Sequence, residues 1–165
     1  MSTQEDREKA AELSIEIIKL ASGKNKEAAK YLRMIGHVYR VLDDVYDGDH
    51  PITRGELLSS IEHLLIGIPS NRFFIQHQDK LTSQHITAYN AWMASNRWAN
   101  GDLEQRVFSH VWRGDYQAVV GLVALLTQGV DQMKLIDQKV KETFGIVGKS
   151  YAFGEKFNIN KHLGV

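Results

Sequence analysis

The run Lys26-Glu-Ala-Ala-Lys-Tyr-Leu-Arg-Met-Ile-Gly-His-Val-Tyr-Arg-Val-Leu-Asp-Asp-Val-Tyr46 decides the fold class. Its apolar residues Ala29, Leu32, Ile35, Val38, Val41, Leu42 and Val45 recur at the three- and four-residue intervals of a helical stripe. On the amino-terminal side, Ala10, Leu13, Ile17 and Leu20 repeat the same period over 5–21, and Ser22-Gly23 ends that segment with a left-handed cap. On the carboxy-terminal side, Gly48 stops the helix and Pro51 prevents it from resuming at once. Thr53-Arg-Gly-Glu56 then has the form of a capping box, opening a third helix over 54–65 with Leu57, Leu58, Ile61, Leu64 and Leu65.

Beyond it the periodicity predicts helices over 83–99, 103–112, 116–127 and 131–144, with a short apolar segment near Phe73 and Phe74. Ala118–Leu126 is apolar on all sides and belongs at the centre of a bundle. No useful stretch alternates with period two, so strands are not expected. The expectation is one all-α domain over 1–165, a bundle of six or seven helices. Gly145, Gly148 and Gly154 loosen its tail, which is expected to be loosely ordered from about residue 150.

Composition narrows the functional classes. Hydrophobic residues at 43% and charged residues at 24% suit a globular chain with a true core. Twenty basic side chains balance twenty acidic ones, so no global field recruits nucleic acid or an anionic membrane. The absence of cysteine excludes disulfides, thiolate metal sites and a cysteine nucleophile, and agrees with a reducing, cytoplasmic setting. The polar start lacks a signal-peptide core, and the longest apolar run falls short of the ~20 residues of a membrane span.

Chemistry concentrates where the second helix ends. Asp43, Asp44, Asp47 and Asp49 place four carboxylates in seven residues, with His50 next. Asp43 and Asp44 lie four and three residues before Asp47, so one helix surface can carry all three. Each opposes the helix macrodipole at a C-terminus by ~0.3–1 kcal/mol, which favours a bound cation or an arginine partner. Oxygen ligands suit Mg²⁺, which often bridges to phosphate. Asp43, Asp44 and Asp47 are therefore the candidate metal ligands, with Asp49, His50 and Arg54 as candidate ligand-binding residues at the rim. Tyr39, Arg40 and His37 extend the same helix upstream.

The segment Met34–Asp47 followed by Thr53-Arg54-Gly55 resembles the first aspartate-rich region of isoprenoid diphosphate synthases, in which Asp-Asp-x-x-Asp precedes Arg-Arg-Gly. The resemblance implies Asp43, Asp44 and Asp47 as Mg²⁺ ligands and Arg54 as a diphosphate contact. One arginine stands where that family has two, and its second metal motif has no counterpart, so what carries over is metal binding and not prenyl transfer. Helical nucleoside triphosphate pyrophosphohydrolases offer an alternative, in which Glu5 and Glu8, or Glu12 and Glu16, would face Asp44 and Asp47. A third reading is a non-enzymatic oligomeric helical protein of phage or mobile-element type. Whether the chain is an enzyme stays open at this level, as does homo-oligomerisation.

The seven histidines form no HExxH pattern, which leaves a zinc hydrolase without support. In Tyr89–Trp98, the tryptophans are expected as core anchors, with Trp92 largely buried. Asn96 shares the face of Tyr89 and Trp92, either as a hydrogen-bonded buried amide or as a ligand contact in a pocket.

Overall fold

The computed structural model describes residues 4–48 and 50–144. Asp49 and the expected loose tail from about residue 150 lie outside them. The described chain is helical and contains no strand. The helices are α1 (Gln4–Ser22), α2 (Lys26–Asp47), α3 (Arg54–Glu62), α4 (Arg72–Gln76), α5 (Gln78–Trp98), α6 (Leu103–Arg113), α7 (Ala118–Gln128) and α8 (Val130–Phe144). A π-helical turn, His63–Gly67, extends α3, and a 3₁₀ turn, Gly114–Gln117, leads into α7.

α1 packs on α2, α7 and α8, while α5 lies against α6 and α7. The core gathers Ile17, Tyr31, Leu32, Leu81, Val123 and Ile136 from five helices. Within Ala118–Leu126, Val119, Gly121, Val123 and Ala124 are buried and no residue is exposed, as its all-round apolar character requires. The last carbonyls of α1 lack partners within their own helix. α7 supplies them: the Thr127 hydroxyl donates to the Ala21 carbonyl at 2.8 Å and the Gln128 amide to the Leu20 carbonyl at 2.8 Å.

α2 turns Ala28, Tyr31, Leu32, Ile35 and Val38 inward, whereas Leu42 and Val45 are exposed. The sequence stripe advances largely by three residues, and each such step falls about 60° short of a full turn on a 3.6-residue helix. It therefore winds off the core-facing side before α2 ends. Gly48, in the left-handed region at φ 65°, returns its N–H to the Asp44 carbonyl and closes the helix.

Two helices start where the spacing alone did not place them. Buried Asn71 caps α4 by accepting from the Phe74 N–H, and its amide donates to the carbonyl and carboxylate oxygens of Glu27, both at 3.1 Å. α5 begins at Gln78, five residues before the cap-type Ser83. Leu81 is fully buried, and its packing draws the chain into helix earlier than local cap chemistry indicates.

The capping box at α3 forms as expected, with the Thr53 hydroxyl accepting from the Glu56 N–H at 3.2 Å and Glu56 accepting from the Thr53 N–H at 3.0 Å. Thr53→Ala removes one half of it. A loss of about 1 kcal/mol is expected in chemical denaturation, and an unchanged midpoint would show that α3 is held by packing alone.

Candidate functional site

Asp43 and Asp44 are met by protein groups. The Trp92 indole N–H, from α5, donates to Asp43 Oδ1 at 3.0 Å. Trp92 is half-buried, standing edge-on to Tyr46 at 5.0 Å between ring centroids and tilted against Tyr89 at 6.1 Å. Arg40 forks between Asp44 Oδ2 at 3.0 Å and Glu56 Oε1 at 2.8 Å, joining α2 to α3. The Thr53 backbone N–H first, and the Arg40 guanidinium with it, hold the Glu56 carboxyl down to about 2. The arginine partner foreseen for the cluster is thus Arg40.

Asp47 is the exposed last residue of α2, His50 is half-buried in the following turn, and Arg54 is exposed at the start of α3. Among the described residues no three His, Asp or Glu side chains are grouped to hold a metal ion. Glu16 is engaged away from the aspartates, its carboxylate 2.6 Å from Lys139 Nζ on α8. The side chains of Glu5 and Glu8 lie outside the described ones. Asn96 is half-buried one turn beyond Trp92.

Beside the Asp43–Trp92 contact the helices leave a cavity of about 550 Å³, walled chiefly by aliphatic side chains of α1, α2, α7 and α8. Ile17, Leu32, Ile35, Ala88, Val119 and Val140 supply its apolar surface. Along α2 the lining extends from Leu32 to Asp43, eleven steps of ~1.5 Å, so the cavity is elongated by about 16 Å. Tyr39, Arg40, Asp43, Tyr89 and Trp92 form the polar part of one end. Arg33 and Ile18, near the other end, also line a second hollow of about 300 Å³ at the turn between α1 and α2.

That second hollow is basic. Lys19, Lys24, Lys26 and Arg33 border it, at the N-terminus of α2, whose first free N–H groups carry partial positive charge. None of the four forms an ion pair among the described residues. The sequence signal for this patch is faint, because its cations are scattered over fifteen positions and only the α1–α2 reversal assembles them.

The second feature that spacing did not disclose is a polar chain joining α2 to α5, with Tyr31 buried and Tyr39 and His85 half-buried. His85 stands between two tyrosines of α2, with Tyr31 Oη 2.5 Å from Nε2 and Tyr39 Oη hydrogen-bonded at Nδ1. A neutral imidazole has one donor and one acceptor nitrogen, so one hydroxyl donates to the ring and the other accepts from it. Burial drives the His85 pKa down to about 4 and the Tyr39 hydroxyl up to about 12, and it raises Tyr31 further still. Tyr39 also lines the cavity, which places the chain's outer end at the cavity wall.

No family model, no curated protein and no solved structure matches the chain. No helix among the described residues is long and apolar enough to cross a membrane.

Proposed function

We propose that the protein binds an elongated amphipathic small molecule, its apolar body in the cavity and its anionic, phosphate-type head at the α1–α2 turn. The observation that carries this reading is continuity: Arg33 and Ile18 line both the apolar cavity and the basic hollow. A cavity of about 550 Å³ lies within the ~300–1,000 Å³ range of small-molecule sites. Its walls are mainly hydrophobic with a few placed polar groups, the composition of such sites. Four cations at a helix N-terminus, with no ion pair among the described residues, supply the attraction for a phosphate. This reading agrees with the expectation of a phosphate-containing ligand and moves its head group from the aspartates to the lysines. Asp43 then acts as a wall residue that fixes Trp92.

Tryptophan fluorescence tests the proposal, since Trp92 lines the cavity. Titration with dodecyl phosphate below its micellar concentration is expected to change the emission saturably, and inorganic phosphate alone is not. Ala88→Phe, which fills the apolar space, should abolish the response. Lys24→Gln/Arg33→Gln should weaken binding by roughly tenfold or more, about 1.4 kcal/mol or above. Binding that survives Ala88→Phe would refute the cavity as the site. A dependence on Mg²⁺ that disappears in Asp43→Asn/Asp47→Asn would instead support a metal-held head group at the aspartates.

A further inference from the structure

We infer that α3 and its π turn form the interface of a homodimer. The helix is built inside out. The residues turned toward the protein are Glu56, Ser60, His63 and Gly67, all at least half-buried. The outward residues are Leu57, Leu58, Ile61, Leu64, Leu65 and Ile66, exposed by 42% to 72%. An amphipathic surface helix normally does the reverse. α3 packs on α2 and runs on into the π turn, and no other helix covers its outer side among the described residues. The six exposed side chains lie along the outer side of α3 and its π turn, and clustered exposed apolar residues of this kind mark an interaction site.

The charges along this stripe identify the occupant. Arg54 and Glu62 flank Leu58 at four residues on either side, and both are exposed with no ion pair among the described residues. A two-fold axis through Leu58 runs two α3 helices antiparallel and sets each Arg54 opposite the partner's Glu62. The same axis places Ile61 opposite the partner's Gly55, where a bulky side chain meets the smallest one. It also carries Leu65 to the partner's Pro51, extending the apolar contact beyond the helix. Such self-complementarity is what an isologous interface requires. A net charge of zero leaves no long-range repulsion between copies. The charges on and beside the patch are mixed in sign, Arg54 with Glu62 and Arg40 with Asp44 and Glu56, so it offers no net positive charge to an anionic bilayer.

Sedimentation equilibrium of the full chain is expected to give a concentration-dependent dimer, and Leu58→Glu/Leu65→Glu a monomer with unchanged helical circular dichroism. Arg54→Glu and Glu62→Arg should each weaken association by roughly fivefold to tenfold, and the double exchange should restore it. That restoration decides the matter even if the leucine variant loses its fold. A wild-type chain that stays monomeric at all concentrations, that binds only vesicles or a different protein through this face, or that dimerises equally well as Leu58→Glu/Leu65→Glu overturns the inference, as does a charge exchange that fails to restore association.

Discussion

Tyr31→Ala is expected to lower the stability of the fold by about 3–5 kcal/mol, the range for emptying a buried aromatic position. Tyr31 has no exposed surface, and its ring sits 6.0 Å from that of Phe73 and 5.9 Å from that of Phe74. It therefore holds α4 to α2 while its hydroxyl reaches His85 on α5. Tyr31→Phe separates the two roles. The ring stays, and loss of the hydroxyl leaves Nε2 of the half-buried His85 imidazole without that partner, so a smaller loss of about 1–3 kcal/mol is expected. Urea unfolding of the three proteins measures both differences through the midpoint at constant slope. Domains of this kind have ~5–15 kcal/mol in hand, so the alanine variant should also unfold markedly earlier on heating. A phenylalanine variant as stable as the wild type would mean that the hydroxyl–imidazole contact contributes nothing.

The helical class was legible because long segments such as 26–46 repeat their apolar residues with one period, and period survives without knowledge of partners. Which way a helix turns that stripe was not legible. Leu57, Leu58, Ile61, Leu64 and Leu65 follow a helical period as the core residues of α1 do, yet they face outward, because the polar set Glu56, Ser60 and His63 is claimed by α2. Capping chemistry was local and therefore readable at Thr53, and misleading at Ser83, where burial of Leu81, two positions earlier, overrides it.

The aspartate cluster shows the same division. Its charge density was evident in the sequence, and so was the need for compensation at a helix C-terminus. The compensating groups were partly local, Arg40 being one turn before Asp44, and partly distant, Trp92 being forty-nine residues from Asp43. The cavity and the His85 chain depend wholly on such distant pairings. Tyr31 and His85 are separated by fifty-four positions, and Tyr39 and His85 by forty-six, so neither contact leaves a mark in local spacing.

That chain also sets how the fold responds to acid. His85 is held at about 4, against 6.5 for an imidazole in water, because burial disfavours the charged ring. The unfolded chain therefore takes up a proton at this residue before the folded one does. Stability from His85 is full above pH 6.5, falls as pH drops through the interval, and is lost by about pH 4. At ~1.36 kcal/mol per unit the interval amounts to about 3 kcal/mol. Two other groups act in the same direction. His77 is lowered, by burial first and by Lys80 second, and Glu56, held at about 2 against 4.5, loses its contribution from pH 4.5 downward, at the foot of the His85 interval and below it. Both persist in His85→Gln, which keeps polar groups near the two tyrosine hydroxyls and cannot titrate. The expected result is a wild-type unfolding free energy that declines between pH 6.5 and 4 by about 3 kcal/mol more than that of His85→Gln, measured by urea denaturation across this range. Parallel curves for the two proteins would show that the ring charges freely in the folded state, and that the pair of tyrosines around it opens without resistance.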